Sequence, residues 1–253
     1  MIKTILAEVK SEKDCSEILK DLIVSAEKDE TIFHLPKWGD IYPKEKLVDA
    51  IAKTKLVTVD SRHIDENTFA LKSQVFWEVV YDPDSPNAYA HSQNRQPLHT
   101  DNGWFSSPPE ISFFIMEKQA PKGGESTYYS FSDVIQDLEN KNRGLFNKLA
   151  SIEVTIQKTE TEKNITKIID LEKRKINWNF YRIKKEDEEI KLLCDEFFQF
   201  LELQEIEGKV KKFLFESGDC YILPDQKFLH GREMFSASKK GDRKLLHSQW
   251  KYI

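Results

Sequence analysis

The sequence predicts a mainly β chain with flanking helices, an α+β arrangement around a jelly-roll core. Three observations lead there. From residue 75 onward, short apolar runs bounded by Gly, Pro and Asp recur, as they do in β-rich domains. Two histidine motifs, His99-Thr100-Asp101 and His230-Gly231-Arg232, lie among those runs. The helical patterns sit near the N-terminus and in inserted stretches, leaving the strands to form the core.

The elements follow in order. Residues 12–28 read as an amphipathic helix, with Cys15, Ile18, Leu19, Leu22 and Ile23 at three- and four-residue steps. Pro36 and Pro43 mark the loop before a second helix, Lys44 to Lys53, with Leu47, Ala50 and Ile51 on one side. Residues 67–81 turn β-like, and 82–87 break the pattern as a loop. Ile111 to Met116 is a buried strand. Pro121 to Gly124 is a turn, and Glu125 to Tyr129 resumes as a strand. Ser132 to Leu138 reads as a helix with Ser132 as its N-cap. Glu186 to Gln204 is the clearest helix, striped by Ile190, Leu193, Cys194, Phe197, Phe198 and Leu201. Strands at Val210 to Phe215, Cys220 to Leu223 and Leu245 to Trp250 complete the chain.

Composition fits one β-rich domain spanning 1–253. Of 253 residues, 39% are hydrophobic and 32% charged, so a core under a highly charged surface is expected. Five Trp and 16 Phe predict a core or pocket filled by rings. A net charge of −5, with Lys and Glu interspersed, gives no basic bias toward nucleic acid. Cys15, Cys194 and Cys220 are odd in number and lack zinc or disulfide spacing. A reducing, cytoplasmic setting is therefore expected. The N-terminal apolar run is too short for a signal peptide, and no stretch approaches the ~20 apolar residues of a membrane span.

The first motif carries chemistry. In extended backbone, residues i and i+2 face the same way, so His99 and Asp101 can aim at one metal. Two imidazoles and a carboxylate are the donor set of mononuclear non-haem iron(II) oxygenases, with positions left open for other ligands. His-any-Asp alone is common by chance. The surroundings sharpen it: His230 follows His99 by 131 residues (230 − 99), and Arg243 follows by 13 more (243 − 230).

The chain resembles the taurine dioxygenase and clavaminate synthase-like superfamily of Fe(II)/2-oxoglutarate dioxygenases. The matching text is Asn87-Ala88-Tyr89-Ala90-His91-Ser92, Pro97-Leu98-His99-Thr100-Asp101-Asn102, Gly123-Gly124-Glu125-Ser126, residues Gly218 to Asp225, and Leu229-His230-Gly231-Arg232 before Arg243. It covers roughly residues 75–253, with 139–210 as a variable insertion. The resemblance implies a double-stranded β-helix core. It makes His99, Asp101 and His230 the catalytic iron ligands, with 2-oxoglutarate and dioxygen as cosubstrates. It places Arg243 at the distal carboxylate of 2-oxoglutarate, with a hydroxyl from Ser126 or Thr127 assisting. Guanidinium suits that task, because its planar fork matches a carboxylate. Arg232 is the rival and reads as mainly structural.

For the primary substrate, the resemblance points to a small polar molecule such as an amino acid, sometimes tethered to a carrier protein. The expected contacts are Asn94, Asn102, Trp104, Asn177, Arg182 and His247; Gln93 suits the same role. Asn177 to Arg182 resembles a substrate-facing strand. His247 stands where taurine dioxygenase carries an arginine for its sulfonate, which argues against taurine. His91 balances between a site role and a structural one. His34 and His63 read as structural, and Lys184 to Glu189 as a solvated face.

Hydroxylation with release of succinate and carbon dioxide is the first expectation. Halogenation is disfavoured because Asp101 fills the position that halogenases leave open. Desaturation and cyclisation use the same ligands. Two other classes compete: a non-catalytic jelly-roll binding protein, and a hydrolase or cupin enzyme using the triad without 2-oxoglutarate. The complete ligand set argues against the first, and Arg243 with the Gly-Gly-Glu-Ser turn against the second.

Overall fold

The structure is a computed structural model that describes residues 1–6, 12–65, 70–85, 88 and 90–253. Asn87 and Tyr89 of the matching text, and part of the loop expected over 82–87, lie outside the described residues.

The N-terminal part comprises β1 (Ile2–Thr4), α1 (Glu12–Asp29), β2 (Ile32–Leu35), α2 (Trp38–Ile41) and α3 (Lys44–Lys53). Strands β3 (Val57–Val59), β4 (Arg62–Ile64), β5 (Leu71–Ser73), β6 (Trp77–Val80) and β7 (Gln96–His99) follow. Next come β8 (Ile111–Lys118), β9 (Lys122–Gly123), β10 (Ser126–Ser130), α4 (Phe131–Lys141) and α5 (Arg143–Ser151). The chain continues through β11 (Glu153–Gln157), β12 (Lys163–Lys167), β13 (Ile169–Asp170), β14 (Lys175–Ile176) and α6 (Glu188–Ile206). Strands β15 (Lys211–Phe213), β16 (Cys220–Leu223), β17 (Phe228–Arg232), β18 (Phe235–Ser236) and β19 (Lys244–Tyr252) close the chain.

Two sheets make the jelly roll. The larger runs β1-β2-β16-β8-β19-β3, with β6 also paired to β19. The smaller runs β15-β10-β17-β7. Side-chain alternation sets the layers. On β8, Ile111, Phe113 and Ile115 join the core under α1 and α3, against Leu19, Ile23 and Ile51. Their neighbours Phe114 and Met116 join Tyr128, Tyr221, Leu223 and Phe228 in a separate inner core. On the smaller sheet, Leu98, Tyr129 and Leu229 pack with α4, α5 and α6 through Val134, Leu149 and Phe197. Full burial of each such Leu or Phe is worth roughly 1.5–3 kcal/mol. Helices α4, α5 and α6 thus form a layer packed against the smaller sheet.

Local chemistry sets the element ends. The N-cap of α4 is Ser130, not Ser132: the Ser130 side chain accepts from the Asp133 N–H. Ser130 is the last residue of β10, so it has the extended backbone that a cap needs, whereas Ser132 is already inside the helix. Asp187 caps α6 by accepting from Ile190 N–H. Residues 177–182 do not form the expected strand. They have no regular structure over 177–179 and turn over 180–182, where Arg182 N donates to Asn179 O at 2.9 Å. The three cysteines are free and buried. No described helix is long and apolar enough to cross a membrane.

Candidate active site

His99 is the last residue of β7, and Asp101 lies two positions beyond it. His230 sits at the centre of β17, directly paired with His99 across the antiparallel ladder. The two rings lie 4.5 Å apart between centroids. Asp101 closes the triangle, with Oδ1 3.4 Å from His99 Nε2 and Oδ2 3.7 Å from His230 Nε2. One donor atom from each residue lies within 4.8 Å of the others, which metal–ligand bonds of ~2.0–2.2 Å can span. Thr100 faces away and locks the segment from behind: its N–H donates to Trp178 O at 2.7 Å, and its hydroxyl accepts from Trp178 N–H at 3.0 Å. Asn102 then turns the chain in the left-handed region at φ 52°, which Asn tolerates better than most residues.

The protonation pattern suits a metal. His99 Nδ1 lies 2.8 Å from Pro97 O, a pure acceptor, so that nitrogen carries the hydrogen and Nε2 presents its lone pair. Gln96 Nε2 stands 3.3 Å from that same lone pair. Burial, reinforced by nearby His99, lowers the proton affinity of His230. Burial pushes the Asp101 carboxyl up, but the two imidazoles beside it outweigh that and hold it well below the usual carboxylate range. Behind them Asp225 is fully buried. Burial and then the Asp101 charge push its carboxyl up.

The triad opens into a cavity of about 670 Å³. On its wall stand two buried guanidinium groups, Arg232 and Arg243, both over the Phe235 ring at 4.8 and 5.5 Å. Arg232 donates to the carbonyl oxygens of Ser92 and Asn94 at 2.9 and 2.7 Å. Arg243 Nε has no hydrogen-bond partner, and among the described residues no carboxylate pairs with this guanidinium. Burial lowers both groups, and the Arg243 charge adds to the effect on Arg232, which falls to about 9. Burial also raises the phenols of Tyr128 and Tyr221, so both stay neutral donors beside Arg243. This is a pocket built for an anion: two buried cations, no protein acid on one of them, and neutral hydroxyls around them.

The family then follows from sequence. A model of the taurine catabolism dioxygenase TauD, TfdA family matches residues 60–249. The chain belongs to that family. TauD, TfdA family membership makes it an enzyme, a dioxygenase of the Fe(II)/2-oxoglutarate-dependent kind, and its His-Asp-His set is one that could bind iron. No curated protein matches the sequence. Among solved structures, asparagine oxygenase in complex with Fe(II), 2S,3S-3-hydroxyasparagine and succinate superposes with a TM-score of 0.72. It shares 11% identity over 95% of this chain and 83% of that one. The non-heme iron oxygenase OrfP, in complex with Fe and alpha-ketoglutaric acid, gives 0.66 at 11% identity over 95% and 82%. PvcB from Pseudomonas aeruginosa gives 0.66 at 16% identity over 92% and 80%. At these identities the likeness concerns the fold.

On this TauD, TfdA frame, the expected residues sort clearly. Ser126, Asn102, Trp104, Arg182 and His247 line the cavity together with the triad, Arg232 and Arg243. Thr127 is not in that lining; its hydroxyl lies 2.8 Å from where a Cβ on Gly231 would stand. Alternation on β10 explains this, since Ser126 and Tyr128 share one face and Thr127 the other. Asn94 is outside the lining and meets Arg232 through its carbonyl. Asn177 is also outside it. It is buried, donating to Lys167 O at 3.0 Å and accepting from Gln226 at 3.2 Å. His91 lines the cavity and bonds Val80 O at 2.9 Å. His34 is structural, held 2.8 Å from Asp219.

Sequence reading missed several lining residues. His63, which the sequence leaves as a structural residue, reaches the cavity and meets Trp77 edge-on at 3.7 Å between centroids. Trp77 and Phe114 sandwich His247, with centroids at 5.1 and 4.2 Å. Gln96, Tyr128 and Tyr221 also line the cavity. Their only signal was odd–even position on strands flanking the motifs, which needs the pairing to be known.

Proposed function

We propose that this enzyme hydroxylates a C–H bond of a small, polar, amino-acid-like substrate, with 2-oxoglutarate converted to succinate and carbon dioxide. One observation carries the reading: the His99–Asp101–His230 donors and a buried guanidinium without a protein acid, Arg243, share one cavity. The donors would hold iron through His99 Nε2, His230 Nε2 and the Asp101 carboxylate. Bound iron supplies the coordination positions and redox chemistry that couple oxidative decarboxylation of a keto acid to C–H oxidation.

The chain supplies the rest. Arg243 presents a fork to the C5 carboxylate of 2-oxoglutarate, with Ser126 as the hydroxyl that assists it. A dianion there also relieves the repulsion between Arg243 and Arg232. Trp77, Phe114 and Trp104 wall the cavity with rings and limit water at the reacting centre. Asn102, Trp104, Arg182 and His247 are the proposed substrate contacts, with Arg182 suited to a carboxylate.

The substrate class draws support from neighbours of this fold: an asparagine oxygenase holding hydroxyasparagine and OrfP holding hydroxyarginine. It also draws on His247. Burial pushes that imidazole down to about 3, so the ring that the sequence resemblance sets against taurine dioxygenase's sulfonate-binding arginine is neutral. The test is a panel of amino acids, free and as carrier-protein thioesters, with taurine as control. Succinate release and the anaerobic iron–2-oxoglutarate absorption band are read together. An amino-acid-dependent rise in succinate with a band shift is expected. A response to taurine alone would overturn the substrate class, and no succinate from the iron-loaded protein under any condition would overturn the activity.

A further inference from the structure

A buried carboxylate outside the triad touches two of its members. Asp225 begins the turn that leads into β17, its N–H donating to Glu110 O at 3.0 Å. Its Oδ1 accepts the backbone N–H of Asp101 at 3.2 Å. The same oxygen lies 3.6 Å from His230 Nδ1, which has no hydrogen-bond partner of its own. Its Oδ2 accepts from the Ser112 hydroxyl at 3.2 Å, and Ser112 Oγ lies 3.0 Å from His247 Nε2. Asp225 and Ser112 are both fully buried, and His247 is 4% exposed.

The chemistry of the donors gives these contacts a direction. If His230 binds metal through Nε2, its Nδ1 must carry the hydrogen, and a buried N–H needs an acceptor. Asp225 Oδ1 is the carboxylate oxygen facing it, and a small rotation of the ring closes the gap. Ser112 has one hydrogen. Once given to Asp225, its oxygen accepts from His247 Nε2–H, which leaves His247 Nδ1 as an acceptor, 3.9 Å from Asp101.

We propose that Asp225 is the positioning residue of the metal centre: one carboxylate fixes the backbone of Asp101, the ring and tautomer of His230 and, through Ser112, the tautomer of His247 on the cavity wall. This rests on the reading that His99, Asp101 and His230 hold the metal. Partners at one remove from a metal commonly change affinity 10–100-fold when removed.

The test is Co(II) titration of the metal-free protein, followed by the visible d–d bands, with thermal melting alongside. Wild type, His230→Ala, Asp225→Asn and Asp225→Ala are compared. Asp225→Ala should weaken Co(II) binding about tenfold or more and alter the d–d bands, because His230 is no longer held. Asp225→Asn keeps the shape and one acceptor oxygen but not the charge. It should fall between, at roughly three- to tenfold, and it decides the matter if Asp225→Ala does not fold. An Asp225→Asn protein with wild-type Co(II) affinity and spectrum would overturn the positioning role while leaving the triad intact. If wild type binds no Co(II), or His230→Ala binds it equally well, the triad reading falls and this inference with it.

Discussion

His99 and His230 are direct partners across the β7–β17 ladder, and their rings lie 4.5 Å apart. Backbone pairing therefore sets the distance between the two imidazole donors before any metal arrives. Asp101 reaches the same point from the end of β7. Alanine at any of the three leaves the ladder intact and removes one donor. We expect His99→Ala, Asp101→Ala and His230→Ala to abolish substrate-dependent succinate release while circular dichroism stays that of wild type. Near-wild-type turnover in any one of them would reject its place in the triad.

The two arginines differ in what they already hold. Arg232 is bonded through Nη2 to the carbonyls of Ser92 and Asn94, whereas among the described residues no hydrogen bond or ion pair holds the Arg243 guanidinium. Arg243→Ala should therefore raise the 2-oxoglutarate requirement at least tenfold, since one charged hydrogen bond is worth roughly 1.5–3 kcal/mol and a fork makes two. Arg243→Lys should recover part of the loss. Arg232→Ala should lower the melting temperature more than it affects 2-oxoglutarate. The reverse pattern in paired titrations would show that Arg232 is the anchor.

Ser126 and Thr127 are adjacent hydroxyls on opposite faces of β10. Ser126→Ala should raise the KM for 2-oxoglutarate by about tenfold, the order expected for one hydrogen bond to a charged group. Thr127→Ala should leave that KM unchanged. A KM effect confined to Thr127→Ala would mean that β10 is rotated in the working enzyme.

Much of this was legible in the sequence because it depends on local rules. His99 and Asp101 share a face through the two-residue period of extended backbone, and α1, α3 and α6 appear where apolar residues recur at helical spacing. The failures are of two kinds. The sequence offers Ser132 as the cap, but the cap is Ser130, because a cap is defined by the extended backbone at the end of β10, which the apolar pattern alone does not locate. Asn177 looked like a substrate contact by motif, yet its amide is occupied by Lys167 and Gln226, partners known only from the fold. The ring wall of Trp77, His247 and Phe114 joins three strands that are paired in space but scattered along the chain.

Gly231 shows how closely β17 approaches β7. A Cβ there would stand 2.5 Å from Gln96 O and 2.8 Å from Thr127 Oγ1. The first is backbone and cannot swing aside, so Gly231→Ala must push the strands apart beside His230. Such overpacking typically costs 1–3 kcal/mol, about what is needed to lower the melting temperature by several degrees. Because the displaced strands carry His99 and His230, Co(II) affinity should fall with stability. Unchanged melting and unchanged affinity in Gly231→Ala would show that the ladder yields without cost.

His247 makes stability depend on pH with a definite sign. Burial holds its folded-state value down to about 3 against 6.5 in the unfolded chain. Between those limits the unfolded chain binds a proton that the folded protein refuses. The contribution is therefore complete above about pH 6.5 and is lost as pH falls toward 3, at up to roughly 1.4 kcal/mol per unit. His247→Phe keeps an aromatic ring between Trp77 and Phe114 but cannot take up the proton. Denaturant unfolding in steps from about pH 7.5 to 4.5 should show wild type losing stability faster than His247→Phe, the gap opening below about pH 6.5. The groups at Asp101 and His230 titrate in both proteins and largely cancel in the comparison. Parallel curves for the two proteins would mean that His247 reaches water and titrates as it does in the unfolded chain.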